Sequence, residues 1–261
     1  DGTALALRIH RPAPGSATAG EGAVLLWIHG GGMFLGSAAA DDAACSDWCR
    51  ATGMTVVAVD YRLAPEHPYP EPLEDCYRAL EWLASDASGF GDRRIGVLGA
   101  SAGGGLAVGL ALLARDRGCD AIAHVVAIYP MLDDRAITVS SAQLENAPVW
   151  NGRLNRLGWS AYLGPQRADP PLYAAPARAG DLSGLPPFTI DTAEFDLFRD
   201  EDVTFAQRLW ADGGRCELHV EPRTVHGWDG IAPDAAVSRA AWQRRRATLV
   251  RSLASAPSVS E

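Results

Sequence analysis

The chain has 261 residues, of which 48% are hydrophobic, so it can bury the core of one large domain and is not expected to be disordered. Its formal net charge of −9 argues against nucleic acids and anionic membrane surfaces as partners, because their phosphate groups would repel it. All 23 basic residues are arginines, which excludes a lysine nucleophile, a lysine Schiff base and a phosphate-binding lysine.

Strand-like and helix-like segments alternate along most of the chain. Apolar runs, alternating or continuous, predict seven strands, at residues 3–10, 23–29, 54–61, 94–99, 123–130, 187–192 and 216–222. Apolar residues at helical spacing predict helices at residues 73–84, 102–117, 154–163, 200–212 and 234–253. This alternation is typical of an α/β protein with a mostly parallel central sheet and helices on both faces.

One segment, residues 133–187, departs from this alternation. It is rich in proline and aromatic residues, and we expect it to leave the sheet and cover part of a pocket as a partial cap. We expect residues 1–253 to form a single domain and the polar residues 254–261 to form a flexible tail.

The cysteines and the hydropathy pattern bear on location. The chain has five cysteines, an odd number in a chain of this length, which argues against a disulfide framework. No apolar run reaches about 18 residues and no signal peptide is visible, so we expect no membrane partner and a cytoplasmic location.

A single serine lies between an apolar strand and an apolar helix in RIGVLGASAGGGLAVGLALLARD, residues 94–116. Glycines lie two residues before and after Ser101, at Gly99 and Gly103, where side chains would clash in a sharp turn. Such a turn would project the hydroxyl at a helix N-terminus, where an oxyanion is stabilised. The pattern predicts a serine nucleophile; a capped glycine-rich turn is the alternative.

A second glycine-rich turn, HGGG at residues 29–32, ends the second predicted strand. Glycines leave backbone N–H groups free to approach a substrate oxygen. We therefore expect two donors here to join the N–H that follows Ser101 in an oxyanion hole. His29 itself is expected to hold the loop in shape rather than to act as a base.

A serine nucleophile needs a base and a residue that orients the base. Among the six histidines, His226 follows the last predicted strand, at the edge where parallel sheets bind ligands. Asp196 lies just beyond the preceding predicted strand, which gives the chain order Ser101, Asp196, His226 expected for this kind of sheet.

Other acids lie near Asp196, namely Asp191, Glu194, Asp200 and Glu201. We expect the last two to cap the N-terminus of the helix predicted at 200–212, which leaves the first two as competitors for the orienting role.

Four sequence blocks together resemble the hormone-sensitive-lipase-type family of bacterial carboxylesterases, in the α/β-hydrolase superfamily. They are HGGG at 29–32, YRLAPEHPYP at 61–70, GASAGG at 99–104 and DLFRDE at 196–201, with a His-Gly pair at 226–227. The resemblance spans nearly the whole chain and implies the α/β-hydrolase fold.

The resemblance also implies a site and a reaction. Ser101 would be the nucleophile, His226 the general base and acid, and Asp196 the residue that orients His226. The oxyanion hole would be formed by the N–H groups of Gly31, Gly32 and Ala102. The implied enzyme is a serine carboxylesterase that hydrolyses short-to-medium acyl esters, including those of bulky or aromatic alcohols, through an acyl-enzyme and without a cofactor or metal.

Two other functions stay open at this point. The same residues could hydrolyse another acyl class, such as lactones, amides or carbonates, because this set of side chains serves many acyl groups. A binding protein for small molecules without catalysis is the other alternative, which the presence of Ser101 and His226 disfavours.

The chain departs from the family pattern in three places. Ala100 stands where many members have Asp or Glu, and Leu197 and Phe198 replace Pro-Leu. The N-terminal cap of the family is expected to be truncated or absent, because the first predicted strand lies at the start of the chain. We therefore expect an open pocket with exposed aromatic side chains, such as Phe34, Trp150 and Trp228. Relatives commonly dimerise, so a homodimer is one expected assembly.

Overall fold

A computed structural model describes residues 2–13, 22–91 and 93–253, so the tail predicted at 254–261 lies outside the described residues. Within the described residues, seven strands form one sheet, at the predicted positions. They are β1 (Ala6–His10), β2 (Ala23–Ile28), β3 (Thr55–Asp60), β4 (Arg94–Ala100), β5 (Ile122–Ile128), β6 (Phe188–Phe195) and β7 (Cys216–Val225).

The strand order is β1-β3-β2-β4-β5-β6-β7. Strand β1 pairs antiparallel with β3, and the other neighbours pair in parallel. The sheet is therefore mostly parallel, as predicted, with its one antiparallel strand at an edge.

Eight α-helices connect or follow these strands in the described residues. They are α1 (Asp42–Thr52), α2 (Glu71–Ala84), α3 (Ala102–Asp116), α4 (Val139–Gln143), α5 (Gly152–Leu163), α6 (Arg199–Ala211), α7 (Trp228–Ile231) and α8 (Ala236–Leu253). Helices α4 and α5 lie in the segment between β5 and β6 that the sequence marks as an excursion from the sheet.

The core has two layers, one on each face of the sheet. In β2, Val24, Leu26 and Ile28 contribute to one layer, which includes residues of α2, α3 and α6. Leu25 and Trp27 contribute to the other layer, which includes residues of α1 and α8. Burial of both faces explains why β2 is a continuous apolar run, and it confirms the prediction of helices on both sides.

Helix α1 was missed by the sequence analysis, because acidic and small residues interrupt its apolar pattern. Its buried side chains, Cys45, Trp48, Cys49 and Thr52, recur at helical spacing and were the available signal. Gly53 ends the helix with a φ of 71°, and its N–H donates to the carbonyl of Cys49 at 2.9 Å.

The parallel strands bring four chain segments to one edge of the sheet. Residues 29–32 follow β2, Ser101 follows β4, Asp196 follows β6 and His226 follows β7. Because parallel strands run in the same direction, their carboxyl ends meet at this edge, where open α/β sheets bind ligands.

Candidate active site

Ser101 occupies a sharp turn between β4 and α3. Its backbone has φ 57° and ψ −120°, a conformation that a residue with a side chain adopts only when its surroundings hold it there. The Ser101 N–H donates to the carbonyl of Ile128 at 2.8 Å, and the Ser101 carbonyl accepts from the N–H of Gly105 at 3.0 Å. These bonds fix the turn on both sides.

The two flanking glycines have no room for a side chain. A Cβ on Gly99 would lie 2.2 Å from the carbonyl oxygen of Gly103. A Cβ on Gly103 would lie 2.1 Å from the carbonyl oxygen of Ile28 in β2. The sequence argument from glycine spacing therefore has a direct steric basis in the structure.

The structure brings Ser101, His226 and Asp196 into one chain of hydrogen bonds. The Ser101 Oγ and the His226 Nε2 lie 2.9 Å apart, and the His226 Nδ1 lies 2.7 Å from the Asp196 Oδ2. All three residues are buried, with exposed fractions of 7%, 6% and 0% for Ser101, His226 and Asp196. The other oxygen of Asp196 accepts from the N–H of Phe198 at 3.1 Å, so both carboxylate oxygens have a donor.

Aromatic side chains enclose the imidazole of His226. The ring of Tyr129 lies 4.6 Å from it, that of Phe198 lies 5.3 Å from it, edge to face, and that of Trp150 lies 6.3 Å from it, all between ring centroids. Sequence reasoning missed Tyr129, although it follows β5 at the same edge of the sheet, which was the signal available for it.

The other acids near Asp196 have partners other than His226. Asp191 is fully buried and pairs with Arg245 at 2.5 Å, and Glu194 accepts from the N–H of Arg223 at 2.7 Å. Asp200 accepts from the N–H of Ser140 at 2.7 Å, at the start of α4. Within the described residues, the carboxylate that bonds to His226 is that of Asp196.

The expectation that Asp200 and Glu201 cap the helix after β6 was wrong for their side chains. Both lie in the first turn of α6, but neither side chain bonds to an N–H of that turn. Glu201 instead accepts from the N–H groups of Leu132 and Asp133, at 2.7 and 3.1 Å. Burial raises the pKa of Glu201 well above its usual value.

The HGGG turn packs directly beside Ser101. A Cβ on Gly30 would lie 3.4 Å from the Cβ of Ser101. Gly31 and Gly32 have φ values of 116° and 62°, which favour glycine. In the described part of the chain, the N–H groups of these two glycines and of Ala102 form no hydrogen bond.

His29 lies beneath this turn and is buried, as expected for a structural residue. Its ring stacks on Tyr61 with 4.1 Å between centroids, and its Nδ1 lies 2.8 Å from the carbonyl oxygen of Gly30. The Tyr61 hydroxyl donates to the His29 carbonyl at 2.9 Å. Burial lowers the pKa of His29, which keeps the imidazole neutral.

The expectation of exposed aromatic side chains around the pocket was wrong for two of the three residues named. Trp150 and Trp228 are buried, at 7% and 4% exposure, and Phe34 is half-buried. A Cβ on Gly32 would lie 2.2 Å from Cη2 of Trp150, so this indole fills the space over the HGGG turn. Trp150 thus belongs to the wall of the site rather than to an open surface.

Burial keeps three of the cysteines, Cys45, Cys76 and Cys216, in the protonated thiol form. All five lie in the described residues as free thiols. Burial raises the pKa of Cys45 and of Cys216 to about 12, and it raises the pKa of Cys76 well above its usual value.

The described ranges contain no cluster of three or more His, Cys, Asp or Glu side chains suited to a metal ion. Nor do they include a helix with the length and apolarity to cross a membrane.

Comparison with known proteins identifies the family of the chain. The family model described as "alpha/beta hydrolase fold" matches residues 25–230. The chain therefore belongs to the α/β-hydrolase family, and this match together with its esterase relatives identifies the hormone-sensitive-lipase type of carboxylesterase.

Named relatives narrow the class. The chain is 37% identical to the esterase LipI of Mycobacterium tuberculosis over 86% of this chain and 71% of that protein. It is also 37% identical to the carboxylesterase NlhH of the same organism, over 88% of this chain and 74% of that protein. The solved structure titled "Bacterial Heroin Esterase" superposes with a TM-score of 0.87 at 40% identity, over 98% of this chain and 86% of that one. The chain is a carboxylic ester hydrolase.

Proposed function

We propose that the chain is a serine carboxylesterase in which Ser101 is the nucleophile, His226 the general base and acid, and Asp196 the residue that orients His226. The observation that carries this proposal is the unbroken hydrogen-bond chain from the Ser101 hydroxyl through both imidazole nitrogens to Asp196. A carboxylate on Nδ1 holds the imidazole with Nε2 free to accept the serine proton, which is the arrangement that activates a hydroxyl.

In the acylation step, the Ser101 Oγ attacks the ester carbonyl carbon while its proton passes to the His226 Nε2. The carbonyl oxygen of the resulting tetrahedral intermediate carries a negative charge. We place it in the oxyanion hole formed by the N–H groups of Gly31, Gly32 and Ala102. The dipole of α3, whose N-terminus follows Ser101, favours the same charge.

The intermediate then collapses. The bond to the alcohol oxygen breaks, and the imidazolium of His226 donates its proton to the departing alcohol, which leaves an acyl group on Ser101. Water attacks this acyl-enzyme with His226 again as base, and the acid product leaves as Ser101 regains its proton. Asp196 stabilises the imidazolium in both steps without taking the proton itself.

The substrates proposed are small-molecule esters with short-to-medium acyl groups, including esters of bulky or aromatic alcohols. Two observations support this range. The indole of Trp150 fills the space over Gly32 beside His226, which limits the room next to the reacting carbonyl. A relative at 40% identity is named for the hydrolysis of heroin, a bulky ester.

Three further parts of the proposal concern the surroundings of the site. We propose that residues 133–187 act as a partial cap on the domain 1–253, since Trp150 from this segment covers the HGGG turn.

Free cysteines support a cytoplasmic location. The edge strand β7, with Val220 43% exposed, supports a homodimer, which size-exclusion chromatography with light scattering would test.

The Ser101→Ala variant tests the nucleophile. We expect hydrolysis of p-nitrophenyl acetate and butyrate to fall by at least about a thousandfold, with an unchanged far-UV spectrum and melting temperature. A fluorophosphonate probe should label the wild type once per chain and the variant not at all. Ser160→Ala, on α5 beside Arg167, is the matched control and should retain full activity. Retained turnover or labelling in Ser101→Ala would refute the assignment.

A further inference from the structure

Behind the imidazole of His226 lies a buried ionic network that the triad itself does not require. Arg245, on α8, is 1% exposed, and its Nε donates to the Asp191 Oδ2 at 2.5 Å. Its Nη1 donates to the Oδ2 of Asp229, in α7. The Asp229 Oδ1 in turn accepts from the hydroxyl of Tyr129 at 2.8 Å. The network therefore connects α8, β6, α7 and the end of β5.

Tyr129 is the member of this network that touches His226. Its ring lies 4.6 Å from the imidazole and 5.2 Å from the ring of Trp228, between centroids. Its N–H donates to the carbonyl of Asp191 at 2.5 Å, so both ends of the residue are tied to the network. Its φ of 37° is uncommon for a residue with a bulky side chain, which indicates that the surroundings impose this conformation.

The groups of the network hold their charges and protons despite burial. Burial acts to raise the pKa of Asp229, but Arg245 and Tyr129 outweigh it and lower that pKa, so the carboxylate is ionised. Burial acts to lower the pKa of Arg245, but Asp191 and Asp229 raise it. Burial raises the pKa of Tyr129 well above 10, so its hydroxyl stays a donor to Asp229.

Stability alone is a weak reason to keep such a network. Replacing a buried ion pair by packed apolar side chains is often neutral or stabilising. The network lies where precise placement matters, because His226 is followed at once by Gly227, with φ 73°, and by the four-residue helix α7. The hydrogen bond to Asp196 fixes one edge of the imidazole but leaves its faces to be held by packing.

We propose that Tyr129 is a positioning residue for His226, held in place by Asp229 and Arg245. The phenol ring sets the plane of the imidazole, so that Nε2 points at the Ser101 Oγ while Nδ1 keeps its bond to Asp196. This role rests on the proposed function of His226 as the base. It adds a second anchor to that of Asp196.

The test compares Tyr129→Phe, Tyr129→Leu and Asp229→Asn with the wild type. Tyr129→Phe keeps the ring but loses its tether, so we expect kcat for p-nitrophenyl acetate to fall about three- to tenfold with KM changed less than about twofold. Tyr129→Leu loses the ring as well and should lose more. The rate of fluorophosphonate labelling at Ser101 should fall in the same order.

Tyr173→Phe is the matched control, since it removes a 2.8 Å hydrogen bond between a tyrosine hydroxyl and Asp116 away from His226. It should keep wild-type kcat. The melting temperature of every variant is measured, and its activity is expressed per folded molecule. A lower kcat then reports a change in the active site and not a smaller amount of folded protein.

Asp229→Asn keeps both the ring and the hydroxyl of Tyr129 but replaces the carboxylate that holds this hydroxyl. We expect kcat to fall as in Tyr129→Phe, with KM changed less than about twofold, because the weaker bond releases the ring from its position.

The outcomes are distinguishable from failure of the proposed function. If Ser101→Ala is inactive while Tyr129→Phe and Tyr129→Leu keep wild-type kcat per folded molecule, the positioning role is overturned and the triad stands. If Ser101→Ala remains active, the triad itself is wrong. A failure of Asp229→Asn to fold would leave the two Tyr129 variants, which decide the question alone.

Discussion

The Nδ1 of His226 lies 2.7 Å from the Oδ2 of Asp196, although the two residues are thirty positions apart in the chain. Both lie at the carboxyl edge of the sheet, after neighbouring strands β6 and β7. An ionised carboxylate accepts, so this contact assigns the proton on His226 to Nδ1 and leaves Nε2 to face Ser101. Strand β6 also carries Asp191, whose partner is Arg245 and not His226.

Asp196→Asn should therefore reduce kcat for p-nitrophenyl esters by about a thousand- to ten-thousandfold, because an amide permits the wrong imidazole tautomer. The far-UV spectrum should not change. Glu194→Gln is the control, since Glu194 bonds to the backbone of Arg223 and not to His226, and its kcat should stay within about twofold of the wild type. A loss in Glu194→Gln as large as in Asp196→Asn would mean that Asp196 is not the orienting acid.

Asp191→Asn should show itself in stability rather than in that rate loss. The substitution leaves Arg245, which is 1% exposed, with one carboxylate partner in place of two. Leaving a buried charge with no partner typically costs about 3–5 kcal/mol, and the remaining pair with Asp229 makes this the upper limit of the expected loss. Urea unfolding measures this directly. If Asp191→Asn instead lowers kcat as far as Asp196→Asn does and leaves stability unchanged, Asp191 does not serve as the partner of Arg245 and Asp196 is not the only orienting acid.

Gly32→Ala should impair the proposed oxyanion hole. The new Cβ would lie 2.2 Å from the Trp150 Cη2, at a residue whose φ is 62°, so the loop must shift. Loss of one oxyanion donor costs about a hundred- to a thousandfold in kcat, and we expect a fall in that range. Gly180→Ala is the control, because a Cβ there meets nothing within 4 Å. Full activity in Gly32→Ala would remove this turn from the oxyanion hole.

Trp150→Ala should change substrate range more than chemistry. Removing the indole opens space over Gly32 and beside His226, so kcat/KM for p-nitrophenyl octanoate relative to acetate should rise by at least about tenfold. Trp210→Phe, on the exposed side of α6, serves as the control with an unchanged ratio. The series from acetate to decanoate measures the effect. An unchanged ratio in Trp150→Ala would contradict its place in the substrate pocket wall.

Acidification should destabilise the fold through His124. This residue is 4% exposed, and burial lowers its pKa from 6.5 to about 4. At pH values between about 4 and 6.5, the unfolded chain therefore binds a proton at His124 that the folded chain does not bind. The free energy of unfolding falls as the pH drops from about 6.5 to about 4. At about 1.4 kcal/mol per pKa unit, the loss reaches about 3 kcal/mol.

His124→Gln removes this titration and can keep the hydrogen bond to the Thr189 hydroxyl, which lies 2.9 Å from the His124 Nε2. Urea unfolding at pH 7 and pH 4.5 should show a smaller loss of stability in the variant than in the wild type. The buried His29 titrates in the same direction in both proteins and cancels in the comparison. Equal losses would show that His124 does not carry the acid sensitivity.

Much of the architecture was predictable because the sheet imposes a simple pattern on the sequence. Strands such as β2 are buried on both faces and therefore consist of continuous apolar residues, which stand out from the polar segments around them. The glycines around Ser101 were informative for a similar reason: contacts of 2.1 to 2.2 Å exclude any side chain there, so their spacing reflects steric necessity.

Other features depend on contacts between distant segments and could not be deduced from local pattern. Glu201 lies in the first turn of α6, where capping is the usual role, yet its partners are N–H groups that follow β5. Trp150 was expected at an exposed surface, because only the folded chain shows that its indole packs over Gly32. The same holds for Tyr129, whose hydroxyl donates to Asp229, because the two residues are a hundred positions apart in the chain and meet only on folding.

The strained backbone of Ser101 makes the position of its hydroxyl a property of the intact tertiary structure. Its φ of 57° is maintained by hydrogen bonds to Ile128 and Gly105, in different segments of the fold. An unfolded chain relaxes to ordinary backbone angles and loses the geometry at once. Ester turnover during heating or denaturant titration therefore reports the population of native molecules, and a simple colorimetric assay can serve as a stability screen for variants throughout the protein.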